Sequence, residues 1–260
     1  MLGKTLSKSI SVSFLVGTTA FAFVVFSMIG NGWQARADEG HAHDPSDIWA
    51  IARGGQLYDN WMSVIEQEPP EGNHPAYPAE AEKSGASTWR CKECHGWDYL
   101  GAAGAYGSGS HHTGIKGVRG VEGMDVEAIH QIIMDDTHGF TAETMPHSAM
   151  EKLALFLSRG QIDMDRYIDR QSKVVRGNPG RGAAHYQTIC AVCHGFDGKE
   201  INFKDEQKPE YVGTVCSKNP WEALHKIRFG QPGVGMVAMI ALDVDDQVDL
   251  LSYCQTLPAK

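Results

Sequence analysis

Two five-residue segments, Cys91-Lys92-Glu93-Cys94-His95 and Cys190-Ala191-Val192-Cys193-His194, share the spacing C-x-x-C-H. On one helical turn positions i, i+3 and i+4 lie on a common face, so two thiols and an imidazole can meet a single planar group. That is the attachment pattern of haem c. The cysteines would form thioethers to the porphyrin, with His95 and His194 as proximal iron ligands. Two covalently attached haem c groups are therefore expected, and with them one-electron chemistry. The alternatives require other settings. A redox dithiol belongs in a strand-helix-strand context, and a zinc ribbon keeps its cysteine pairs close together. These pairs lie about a domain apart, and neither alternative explains a histidine after the second cysteine in both copies.

Four of the six cysteines are used in this way, leaving Cys216 and Cys254. In an oxidising compartment they are a candidate disulfide pair, although sequence does not fix their separation. The N-terminus indicates such a compartment. Lys4 and Lys8 precede an apolar run from Ile10 to Ile29, followed by Ala35-Arg36-Ala37. This is the pattern of an export signal with an A-x-A cleavage site. Residues 1–37 are expected to be removed, with a retained membrane anchor as the alternative, and residues 38–46 form a flexible tail. The signal points to the periplasm, which is also where the c-type resemblance drawn below implies that haem is attached. Cleavage would remove three basic residues and no acid, taking the formal charge from −9 to −12. So acidic a chain is unsuited to nucleic acid and suits a basic docking partner.

An internal repeat orders the rest. Gly96-Trp97-Asp98 and Gly195-Phe196-Asp197 follow the two motifs, and Glu127-Ala128-Ile129-His130 matches Glu222-Ala223-Leu224-His225. Each copy then reaches a methionine, Met145 or Met236, and ends in an amphipathic segment. Asn219-Pro220 is a helix start, Asp245 a candidate cap, and Val126, Ile129 and Ile133 form a helical apolar stripe. The expected fold is all-α, with residues 47–162 and 178–260 as two domains and 163–177 as a linker. Residues 47–84 count as an extension of the first domain, with a helix from Ile48 to Glu66. The Gly/Ser-rich stretch 101–117, containing His111 and His112, reads as a mobile loop.

Haem motif, middle helix, methionine loop and C-terminal helix, in that order twice, resemble tandem class I cytochromes c over residues 85–160 and 178–258. The resemblance implies a few helices wrapped around each haem, with Met145 and Met236 as sixth iron ligands. His138 and His147 are rivals to Met145, and Met239 is a rival to Met236. His130 and His225 are core or haem-edge histidines. Trp97, Tyr99, Phe140, Phe156, Phe196, Phe203 and Phe229 are expected to line haem. The function implied is a dihaem electron carrier between redox proteins of a respiratory chain. The alternative is a dihaem oxidoreductase resembling thiosulfate dehydrogenases, in which a cysteine, here Cys216, would ligate the active iron.

Overall fold

The computed structural model describes residues 45–260, and the expected signal segment and the tail before Pro45 lie outside them. Among the described residues every regular element is helical, and the chain is all-α. Its first half contains α1 (Pro45–Ile65), α2 (Cys91–His95), α3 (Val126–Ile133) and α4 (His147–Arg159). The second contains α5 (Pro179–His185), α6 (Ala191–His194), α7 (Val212–Lys218), α8 (Pro220–Phe229) and α9 (Val244–Cys254). None of these helices is long and apolar enough to cross a membrane.

The helix starts follow local chemistry. Asn219 accepts a hydrogen bond from the Glu222 amide at the head of α8, and Asp125 does the same for Ala128 at the head of α3. Ile129 and Ile133 bury the predicted stripe. At α9 the cap position belongs to Asp243, so Asp245 falls in the first turn. There its carboxylate complements the helix dipole instead of capping.

Each half is built on a crossing between its first and last helices, α1 over α4 and α5 over α9. Two residues recur at each crossing. A Cβ on Gly54 would collide with the Lys152 carbonyl, and one on Gly182 with the Asp249 carbonyl. Four residues further on stands a tyrosine. Tyr58 donates to the Gly96 carbonyl at 2.6 Å, and Tyr186 to the Gly195 carbonyl at 3.1 Å. The repeat therefore begins at α1, which is the counterpart of α5 and no extension. What the first half adds is the loop after α1, whereas α5 runs directly into α6 through one π-turn, Tyr186–Cys190.

The halves are fused through an aromatic core. The His225 ring is fully buried among Tyr58, Trp97, Tyr99, Phe156 and Phe229. Its Nε2–H donates to the Gly55 carbonyl at 2.9 Å, and its Nδ1 accepts from the Tyr99 hydroxyl at 2.8 Å. Tyr99 holds a left-handed backbone, φ 65°, with two amides, of Val118 and Arg119, on its carbonyl. Such a conformation is costly for a bulky residue and persists because its surroundings fix it. Buried Asp59 of α1 pairs with Lys226 of α8 at 2.7 Å and with Arg90, just before the first motif. The segment expected as a linker is also docked: Met164, Ile168 and Val175 are buried, and Arg170 reaches buried Asp98 at 2.6 Å.

Candidate functional site

The first motif occupies α2, which stops at Gly96 because φ 79° there suits glycine. Both of its cysteines and His95 are half-buried. Burial pushes the Cys91 and Cys94 thiols up to about 12. A redox-active C-x-x-C needs the opposite shift, toward thiolate. His95 donates its Nδ1–H to the Lys116 carbonyl at 2.7 Å. This bond fixes the tautomer and leaves Nε2 bare, which is how a metal-binding imidazole is usually oriented. Burial lowers the His95 pKa to about 4, so the ring is a neutral donor at pH 7.

The stretch 101–117 supplies that carbonyl, and it is folded down against the motif. Gly101 bridges Lys116, and Ala102 donates to the Ile115 carbonyl at 2.8 Å. Tyr106 is buried and stacks on His111, whose Nδ1 lies 2.5 Å from Glu93. Burial alone would raise the Glu93 carboxyl. The His111 hydrogen bond and the Lys92 ammonium, 2.6 Å away, outweigh it and hold the carboxyl down at about 2. Glycines for turning and two anchoring side chains make a loop of low-propensity sequence ordered.

Across from the motif lies a turn, Asp135 to Phe140. The Asp135 carboxylate accepts from the amides of Thr137 and His138, each at 2.9 Å, and from His138 Nδ1 at 3.0 Å. The His138 carbonyl accepts from His74 Nε2 at 2.9 Å. His74 Nδ1 in turn accepts from the Ala76 amide at 3.1 Å, which assigns the proton to Nε2. The His95 and His138 rings have centroids 6.3 Å apart and are tilted by 35°. His147 is exposed and engages His130 at 3.2 Å. Met145 is fully buried at the head of α4.

The second motif runs from Cys190, at the end of the π-turn, through α6 and ends on Gly195, φ 76°. His194 is half-buried, and its Nδ1 is buried without a hydrogen-bond partner. Around it apolar side chains stand exposed: Val192 is 81% and Phe196 75% accessible, with Phe203, its ring 5.9 Å from His194, also exposed. Met236 is half-buried, whereas Met239 is in the core with its amide on the Ile227 carbonyl at 2.9 Å.

Comparison with protein-family models, curated proteins and solved structures finds no match to the chain.

Among the described residues no three His, Cys, Asp or Glu side chains gather as a metal site. Cys216 and Cys254 are both buried, and Cys216 is the hydrogen-bond partner that raises the Cys254 pKa. The two thiols meet across α7 and α9. Of the expected haem-lining aromatics, Trp97, Tyr99, Phe156 and Phe229 surround His225. Phe140 packs on Trp61, Trp89 and His74. The residues that sequence reasoning missed, Lys116, His74 and Asp135, act through a carbonyl or through a neighbour, and only the Asp135 to His138 turn left a local signal.

Proposed function

We propose that the chain is an exported dihaem cytochrome c that carries single electrons between redox proteins. Its two halves would be tandem class I units. Cys91, Cys94 and His95 would hold one haem and Cys190, Cys193 and His194 the other. The observation that carries this reading is that both motifs end alike: a histidine, then a left-handed glycine whose carbonyl is held by a tyrosine four residues beyond the crossing glycine of its own half, Tyr58 within α1 and Tyr186 directly after α5. Two chain segments that share only short sequence motifs have no reason to build the same braced turn unless each presents its histidine to the same kind of group.

The side chains fit that group. His95 offers an oriented, neutral Nε2, and the buried, unpaired Nδ1 of His194 belongs to a ring not yet committed elsewhere. The exposed apolar residues at α6 match a large apolar face. When bound, haem c supplies a reversible one-electron couple, and the protein's part is to orient it, exclude water and tune its potential. Half-buried Met236, and not core-packed Met239, suits the sixth position of the second haem. The acidic composition favours a basic partner met through a small, salt-sensitive contact. The location would be the periplasm.

Protein exported by a host that matures c-type cytochromes is expected to give two haems c by pyridine haemochrome. In denaturant and after reduction it should titrate two thiols, those of Cys216 and Cys254. One haem or none, or four or more thiols after reduction, refutes the assignment. A thiosulfate dehydrogenase type of enzyme would need the Cys216 sulfur to reach iron, whereas here it is buried and hydrogen-bonded with Cys254. Thiosulfate added to the oxidised protein alone should therefore leave the haems oxidised over many seconds. Rapid reduction would transfer the proposal to the enzyme.

A further inference from the structure

Resting on the haem reading of the first motif, we infer that His138, and not Met145, is the second axial ligand there, making that site bis-histidine while the other pairs His194 with Met236. Three observations converge on it. A metal–imidazole bond is about 2 Å, with the ring centre about 1 Å behind the nitrogen, so imidazoles on opposite sides of one ion have centres about 6 Å apart. His95 and His138 have centroids 6.3 Å apart. Each ring also has its Nδ1–H committed, to the Lys116 carbonyl and to the Asp135 carboxylate, which leaves Nε2 as the donor on both.

The third observation is the bracing of His138 itself. Its amide is held by Asp135 and its carbonyl by His74, so main chain and ring are fixed together. A loop histidine without a task does not require an anchor within its own turn and a second one from a segment 64 positions away. The rivals are occupied. Met145 has 0% exposure and is enclosed by protein on every side, whereas the His138 side chain keeps 32%. His147 is tied to His130.

The ligand sets then differ between halves. A thioether raises a haem's potential relative to a second imidazole, so the first haem would lie below the second. Electrons would run downhill from the first half to the second.

The test uses the exported holoprotein and optical redox titration with EPR. Wild type should titrate in two steps, and its ferric near-infrared sulfur-to-iron band should have the intensity of one haem. Met145→Leu should leave that band and both steps in place. His138→Met should raise the lower step and increase the band toward two haems, and His74→Phe should shift the lower step alone. A wild-type band of two-haem intensity, loss of the band in Met145→Leu, or an unmoved lower step in His138→Met overturns the assignment. If His138→Met does not accumulate, wild-type EPR decides: a bis-imidazole ferric signal supports His138, and its absence refutes it. A haemochrome count below two strikes the haem reading instead, which keeps the two failures apart.

Discussion

His225→Ala is expected to lower the stability of the folded protein by about 3–5 kcal/mol, measured by urea unfolding at pH 7. The substitution removes a fully buried ring that five aromatic side chains contact. It also takes the hydrogen-bond partner from the buried Tyr99 hydroxyl and one donor from the Gly55 carbonyl. His225→Leu refills most of the volume and isolates the polar part, so about 2 kcal/mol of loss should remain. Adding Tyr99→Phe to that leucine variant removes one stranded group and should recover part of it. A cost within about 1 kcal/mol for His225→Ala would mean that the halves are not joined through this residue.

The same ring sets a pH dependence. Burial, the largest cause, lowers its pKa to about 4 from an ordinary 6.5, even though nearby Asp59 acts in the opposite direction. Below pH 6.5 the unfolded chain takes up a proton that the folded protein refuses until about pH 4. The contribution is therefore complete above pH 6.5 and is lost as pH falls toward 4, by up to about 3 kcal/mol. Wild type should lose more stability than His225→Leu between pH 7 and 4.5. His95 shifts in the same direction in both proteins, so the difference between them isolates His225.

What could be seen in the sequence was whatever depends on neighbours along the chain. The C-x-x-C-H turns, the Asn219-Pro220 start and the stripe of α3 are all local, and each stands where spacing puts it. What could not be seen depends on contacts between distant segments. His74 and His138 are 64 positions apart, and the Lys116 carbonyl that orients His95 belongs to a stretch whose glycines read as mobility. A backbone acceptor leaves no mark in a residue type. The start of the repeat was hidden for another reason. A long loop separates Tyr58 from the first motif, whereas Tyr186 is four residues from Cys190, so alignment on the motifs misses the shared Gly-x-x-x-Tyr of α1 and α5.

That shared pair of glycines gives the sharpest check on the architecture, because helix propensity and packing make opposite predictions at the same positions. Gly54 and Gly182 lie inside helices, where alanine is intrinsically favoured by about 0.5–1 kcal/mol. At each crossing, however, a Cβ would meet a main-chain carbonyl of the partner helix, Lys152 or Asp249, and main chain cannot turn aside as a side chain can. Overpacking of this kind costs about 1–3 kcal/mol, and a carbonyl that cannot move puts these sites at the upper end. Gly54→Ala and Gly182→Ala are thus expected to be destabilised despite the better helix former, by urea unfolding of the holoprotein. Gly120→Ala, with open space around its Cβ, should stay within about 0.5 kcal/mol of wild type. The two damaging changes should also separate by half. Gly54→Ala loosens α1, which carries Tyr58 and through it the Gly96 turn after His95, while Gly182→Ala acts through Tyr186 on the turn after His194. On the proposed haem reading, each variant should perturb the spectrum of one haem and leave the other as in wild type. Stabilisation by either alanine would show that the crossing is looser than drawn and remove the common brace on which the pairing of the two motifs depends.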